Sequence, residues 1–230
     1  THVMPVMKDG VSKLDTDEYV VLRESLVTKP EMFRKAPAAF EMKAFYEQYG
    51  QYIKGKTYSP DKQSTITLFN ACARSDGAAG IIVTSEEKAK ELGLEIFAEL
   101  KSWDFYGVDP AVMGIGPAYA SKAALDRAGL KFEDIDNFEV HEAFAATVLS
   151  IFHVGKTEWN QDWQTRWDDK RINPNGGTIA LGHPLAATGT RIILNLMYAM
   201  KQNPKARLGL ATACAAGGLG GAMIIERNDA

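Results

Sequence analysis

The chain predicts an α/β fold built by duplication, and three observations carry that expectation. Strand-like and helix-like runs alternate over most of its length. Residues 71–83 (ACARSDGAAGIIV) align without gaps on residues 213–225 (ACAAGGLGGAMII). Each reads as a strand, a Cys-bearing turn, a small-residue stretch and a second strand, which suggests two copies of one supersecondary unit. Residues 173–191 (NPNGGTIALGHPLAATGTR) hold four glycines and two prolines and lead into a helical pattern at Ile192, Ile193, Leu196, Met197 and Met200. In that stretch Gly182-His183-Pro184 places a histidine on a rigid corner, because proline fixes its own φ and biases the residue before it away from the α region. Imidazole titrates near neutral pH, so His183 is a candidate general base.

Composition narrows the function classes. The chain has 230 residues, 46% apolar and 24% charged, as expected of a globular protein with one large or two small domains. A formal charge of −3 leaves no basic footprint for nucleic acid. No run reads as a transmembrane segment or a signal peptide. Two cysteines, Cys72 and Cys214, fit a reducing compartment, hence the cytoplasm or an organelle matrix, mitochondrial or peroxisomal in a eukaryote. The sequence opens on Thr1 with little core-forming pattern before residue 60, which suggests a fragment, a processed product or one half of a split protein.

Along the chain, residues 1–63 are charged and interrupted. Asp15-Thr16-Asp17-Glu18 marks a helix start. Pro30 and Pro37 break the stretch after it, and Phe40, Phe45, Tyr46, Tyr49 and Tyr52 cluster beyond them. The segment reads as short helices that lean on something else. Residues 64–70 (STITLFN) and 80–84 (GIIVT) read as strands, and Ser85-Glu86-Glu87 caps a helix that stops at Gly93. Next come a strand over 96–103, a helix over 117–128, a short strand over 138–140 and a helix over 142–152. Residues 178–181 suit a buried turn or strand end. Trp159, Trp163 and Trp167 fall in a charged stretch that looks like an insertion. Residues 208–212 and 222–226 read as strands around a turn over 214–221.

Three segments carry chemistry. His141 opens the predicted helix as His-Glu-Ala-Phe, His183 sits on its corner, and Cys214 is followed by AAGGLGG, whose backbone amides suit an anion. No metal site is expected, because the histidines are far apart in sequence and no Cys-x-x-Cys or His-x-x-x-His spacing occurs. Cysteine, histidine and backbone amides together suit acyl transfer.

These motifs resemble the thiolase signatures, in thiolase order: Asn173-Pro-Asn-Gly-Gly, Gly182-His183-Pro184 with Ala187-Thr188-Gly189, His141-Glu142-Ala143-Phe144, and Cys214 with Gly217-Gly218. Gly114-Ile115-Gly116-Pro117 with Ala120, and Asp76-Gly77-Ala78-Ala79, also match. Phe138-Glu139-Val140-His141 and the Trp-bearing stretch look most like the β-subunits of fatty-acid oxidation multienzyme complexes. The resemblance runs from about Asp15 to the C-terminus and covers the second part of a thiolase.

The resemblance implies a thiolase-like, duplicated, layered α/β fold with mixed sheets and helices between and outside them. Residues 1–63 would end the CoA-binding loop domain, 64–94 would be the last part of the N-terminal thiolase domain, and 95–230 the C-terminal domain. It further implies an acyl-CoA acetyltransferase that cleaves 3-ketoacyl-CoA with CoA or runs the reverse condensation. His183 would be the base for a nucleophilic cysteine that lies in the first half, as a separate chain or a missing segment. Cys214 would be the second acid/base. One oxyanion hole would use His183 Nε2 and a water positioned by His141, and the other the nucleophile's N–H with that of Ala216. Cys72, where many thiolases have serine, would line the pantetheine tunnel, and Gly217 would sit on the CoA side. The implied partners are acyl-CoA and CoA as substrates, with no cofactor, in a homo- or hetero-oligomer. Ala216 and Ala186 stand where glycine is usual, and a Cβ at positive φ would cost on the order of 1 kcal/mol. The rival readings are a non-catalytic half-thiolase that binds or scaffolds, against which the intact His141, His183 and Cys214 speak, and a ketoacyl synthase, against which Cys214 speaks.

Overall fold

A computed structural model describes residues 5–27, 29–39, 47 and 65–228. The predicted aromatic cluster at Phe40, Phe45, Tyr46, Tyr49 and Tyr52 lies outside them.

Strands β1 (Val6–Lys8) and β2 (Val11–Leu14) form an antiparallel hairpin. Its turn is Asp9-Gly10, both left-handed at φ 53° and 74°, the conformation a tight hairpin needs. Helix α1 (Glu18–Val27) is capped by Asp17, whose carboxylate accepts the N–H groups of Tyr19 and Val20. Pro30 does not break helix α2 (Pro30–Lys35) but occupies its first turn, where no N–H is needed. Helix α1 leans on the body of the chain as expected: Arg23 donates to the carbonyls of Leu68, Phe69 and Ala71, and the Tyr19 hydroxyl donates to Ile179 O.

Residues 65–70 are not a strand. Asn70 takes over their backbone groups, accepting from Thr67 N–H and donating to Thr65 O, and leaves only an isolated bridge from Thr67 to Ala38. Residues 80–84 also lack a strand partner among the described residues, and Ile82 and Val83 are 79% and 82% exposed. The two repeat copies therefore differ: the second is a hairpin, and the first is not. Helix α3 (Glu86–Glu91) is capped by the Ser85 hydroxyl, as its sequence predicts.

The centre of the molecule is a mixed four-stranded sheet in the order β3 (Ala98–Gly107), β6 (Leu219–Arg227), β5 (Leu208–Ala215), β4 (Asn137–Val140). β4 runs parallel to β5, and the other pairs are antiparallel. Side chains alternate between its faces, as the period of two requires. Phe138, Val140, Leu210, Ala222 and Ile224 point to one face, under α4 (Gly116–Ala128) and α5 (Ala145–Trp159). Each of the four larger side chains, Phe138, Val140, Leu210 and Ile224, contributes about 1.5–3 kcal/mol by its burial. Ala211 and Ile225 point to the other face, against Ile192, Leu196 and Met200 of α8 (Thr188–Gln202).

Two parts of this core differ from what their local sequence suggests. The Trp-bearing stretch is not a surface appendage. Trp163, at the start of α6 (Trp163–Asp168), is completely buried against Phe132, Phe138 and Phe152, while the charges flanking it point outward. Nor does His141 open a helix. Residues 141–144 stay out of α5 because Phe144 is extended (φ −145°, ψ 151°) and pairs with Ala71 in an antiparallel bridge. Residues 178–181 form a single helical turn, α7 (Thr178–Leu181), rather than a strand end. No helix among the described residues is long and apolar enough to cross a membrane.

Candidate active site

His141 follows directly from the sheet. Its N–H donates to Thr212 O, one step past the last β4–β5 pair, so the side chain projects from the carboxyl end of β4. Its ring is buried, and Nδ1 shares a 3.0 Å hydrogen bond with the Thr178 hydroxyl. Burial, then the neighbouring His183 and Arg191, push this imidazole down to about 4, so it is neutral at physiological pH.

Below it, Asn173 sits in the left-handed region at φ 48° and its amide imitates a strand residue. Its Oδ1 accepts from Val140 N–H at 2.7 Å and its Nδ2 donates to Val140 O at 2.9 Å. The same Nδ2 donates to Glu142 Oε1 at 2.7 Å, and Glu142 Oε2 accepts the Ile179 N–H at the start of α7. Glu142 occupies space that only a glycine leaves free, since a Cβ on Gly177 would lie 2.0 Å from its Cδ.

His183 is held from a different direction. Its N–H donates to Ala73 O at 2.7 Å, within a bridge to Arg74. Arg191 donates to the carbonyls of Leu181 and Gly182 and so fixes the chain entering the corner. The Thr188 hydroxyl lies 2.7 Å from His183 Nδ1 and 3.4 Å from Pro184 O. With that hydroxyl donating to the carbonyl, Nδ1 carries the ring proton and the lone pair is on Nε2. His183 is half-buried, and burial followed by Arg191 lowers its pKa below the ordinary value.

The strap over 70–74 joins the two histidines. Cys72 N–H donates to Ala143 O, and Ala145 N–H donates to Asn70 O. The result is a cluster drawn from three distant segments. Cys72 Sγ and one ring nitrogen each of His141 and His183 lie within 4.8 Å of one another, and the two rings are 4.5 Å apart at their centroids. Cys214 is buried near the end of β5, two residues beyond the Thr212 carbonyl that holds His141. Its thiol is outside the 4.8 Å cluster, and burial pushes it up to about 11, with Cys72 adding to the shift. Ala216 and Gly217 lie exposed in the β5–β6 turn. The left-handed residues there are Gly217 (φ 93°) and Gly218 (φ 84°). Neither Ala216 nor Ala186 has positive φ, so neither methyl is strained.

Sequence reasoning missed the hydroxyls of Thr178 and Thr188 and the roles of Asn173 and Glu142. All four lie within or beside the recognised motifs, but their function is to orient other groups, which spacing does not express.

The comparisons with known proteins agree with this architecture. Residues 94–227 match the family model described as "Thiolase, C-terminal domain". An acetyl-CoA acetyltransferase of Cupriavidus necator is 43% identical over 193 residues, covering 83% of this chain and 46% of the relative. One from Syntrophomonas wolfei is 38% identical and covers 98% of this chain and 49% of its own length. Human mitochondrial 3-ketoacyl-CoA thiolase, solved in complex with CoA, superposes with a TM-score of 0.73 at 29% identity, covering 97% of this chain and 48% of that one. The chain thus spans about half the length of the relatives it matches. From motif order, sheet topology and these likenesses together, the chain belongs to the thiolase family.

Proposed function

We propose that the chain supplies the acid–base half of an acyl-CoA acetyltransferase, acting with a nucleophilic cysteine from outside these 230 residues. One observation carries the reading. Two imidazoles, each tied at Nδ1 by a threonine hydroxyl, converge beside the strand end that bears a protonated, buried thiol.

His183 Nε2 is the base. It takes the proton of the nucleophilic thiol, and the thiolate attacks the keto carbon of a 3-ketoacyl-CoA. His141, held neutral, hydrogen-bonds a water that, with His183, supports the oxyanion. Carbon–carbon cleavage leaves an acetyl-CoA enolate, which Cys214 protonates. A thiol whose pKa burial has raised keeps that proton until a strong base such as an enolate arrives. The Cys214 thiolate then deprotonates incoming CoA, whose sulfur releases the shortened acyl group. The Ala216 amide serves the second oxyanion, Gly217 stands on the CoA side, and Cys72 lines the pantetheine path. CoA is a substrate here, and the chemistry asks for no cofactor.

The remainder of the thiolase, or a second subunit, covers the open sheet face. There Trp103 and Phe105, 48% and 74% exposed, border an apolar groove of about 230 Å³ with Ile192, Ile193 and Met223. Apolar surface of this kind marks an interface. The domain reading stands with the proposal: residues 1–63 belong to the loop domain, 64–94 to the N-terminal domain and 95–230 to the C-terminal domain.

The test is an assay of the purified 230-residue chain with acetoacetyl-CoA and CoA. The expected outcome is no loss of ketoacyl absorbance. Turnover at thiolase-like rates by this chain alone would overturn the split-site reading.

A further inference from the structure

We propose that Cys72, His141 and His183 together form a zinc-binding site, a soft-to-borderline divalent cation being held by one sulfur and two imidazole nitrogens. Spacing along the chain offers no such set, since its members lie on three segments. The fold assembles it. Cys72 Sγ and one nitrogen of each imidazole lie within 4.8 Å of one another. Zinc bonds of about 2.3 Å to sulfur and 2.0–2.1 Å to nitrogen put ligand atoms roughly 3.3–3.7 Å apart in a tetrahedron. Closing the widest of these separations to that range takes a shortening of roughly 1–1.5 Å.

The surroundings favour ligation. Both rings have Nδ1 engaged by a threonine hydroxyl, Thr178 for His141 and Thr188 for His183. Nε2 is therefore the free nitrogen on each, and a hydrogen bond on the opposite ring nitrogen is the usual support of a metal-bound imidazole. The backbone positions of the three ligands are cross-linked, because Cys72 N–H holds Ala143 O and His183 N–H holds Ala73 O. Cys72 and His183 are half-buried rather than sealed, which leaves a path in for the cation and for a water as fourth ligand. A thiol with two imidazoles selects zinc, and cobalt(II) as its spectroscopic substitute, over magnesium or calcium. On binding, the Cys72 thiol releases its proton to solvent and bonds the metal as thiolate. The metal would occupy His183 Nε2 and so exclude its use as a base. That inhibitory consequence rests on the proposed function, but the binding does not.

The experiment therefore reads binding on the reduced, metal-free 230-residue chain and not turnover. Titration with cobalt(II) should give a thiolate-to-cobalt charge-transfer band and tetrahedral ligand-field bands that saturate at one equivalent, and zinc should erase them. Cys72→Ser should lose the charge-transfer band, with Cys72→Ala as a second variant if the serine form fails by circular dichroism to fold. His141→Gln and His183→Gln should each weaken affinity at least tenfold. Cys214→Ser should keep band and stoichiometry. No band in the unsubstituted chain, a full band without Cys72, or loss of the band in Cys214→Ser alone overturns the proposal.

Discussion

The end of β4 and the Gly-Pro corner each present a histidine whose Nδ1 meets a threonine hydroxyl, yet the two regions differ in what surrounds the ring. His141 sits over a buried shelf of Asn173, Glu142 and Gly177, and its pKa falls to about 4. His183 rests on a half-open corner held by Arg191 and the strap, and its pKa is lowered without being removed from reach of solvent. The lesson is that burial, more than the hydrogen bond, sets what an imidazole can do. The sealed one is a fixed neutral dipole, whereas the open one can exchange protons.

Substitutions in the complete protein test that contrast, beginning with the largest effect. His183→Ala should abolish acylation of the nucleophilic cysteine, because no base remains to form its thiolate; mass spectrometry of the acyl-enzyme checks this. The unsubstituted protein should lose acylation rate as pH falls through the His183 pKa, since protonation removes the lone pair. A lowered pKa moves that acid limb below about 6.5.

Cys214→Ser asks whether proton transfer to the enolate belongs to neither histidine. A hydroxyl is a much weaker acid than a thiol, so turnover should drop about 10²–10⁴-fold while acylation by acetyl-CoA partly survives. Normal acylation in His183→Ala together with none in Cys214→Ser would reverse the two roles.

His141→Ala should lower turnover less than loss of His183 and leave the acid limb in place, because a ring that stays neutral contributes no titration there. Movement of the limb in this variant would erase the distinction between the two regions. The smallest effect concerns thiol reactivity in the 230-residue chain. Alkylation of Cys214 should be slow at neutral pH and rise about tenfold per pH unit towards its raised pKa of about 11, since only the thiolate reacts. Peptide mapping after iodoacetamide labelling reads it, and fast labelling at pH 7 would contradict a protonated buried thiol.

How much of this is legible depends on whether the physics is local. β5 and β6 follow from apolar runs on either side of a glycine-rich turn, α8 from its 3.6-residue period, and the corner at His183 from glycine and proline chemistry. Residues 80–84 have the composition of a strand, but a strand exists only with a hydrogen-bonded neighbour, which composition cannot supply. Trp163 is hidden because charged neighbours set the average of its segment while the indole alone enters the core. His-Glu-Ala-Phe looks like a helix start because its competing partner, Ala71, lies some 70 residues away. The Asp9-Gly10 hairpin has a readable turn dipeptide, but the charges around it mask its short strands. The threonine anchors are not readable, since a hydroxyl that orients a ring carries no period and no spacing.

The fan of hydrogen bonds from Arg23 has a consequence for local opening. It joins α1 to the carbonyls of residues 68, 69 and 71, and its Nε donates to the Tyr19 hydroxyl that itself reaches Ile179. Undocking α1 releases all of these carbonyls at once, along with the residues that lead directly into Cys72. Helix and strap therefore behave as one cooperative unit, whose amides should exchange with solvent in a single correlated event. A surface helix thus sets how often the Cys72 thiol is laid open, and its undocking free energy becomes a term in that thiol's exposure.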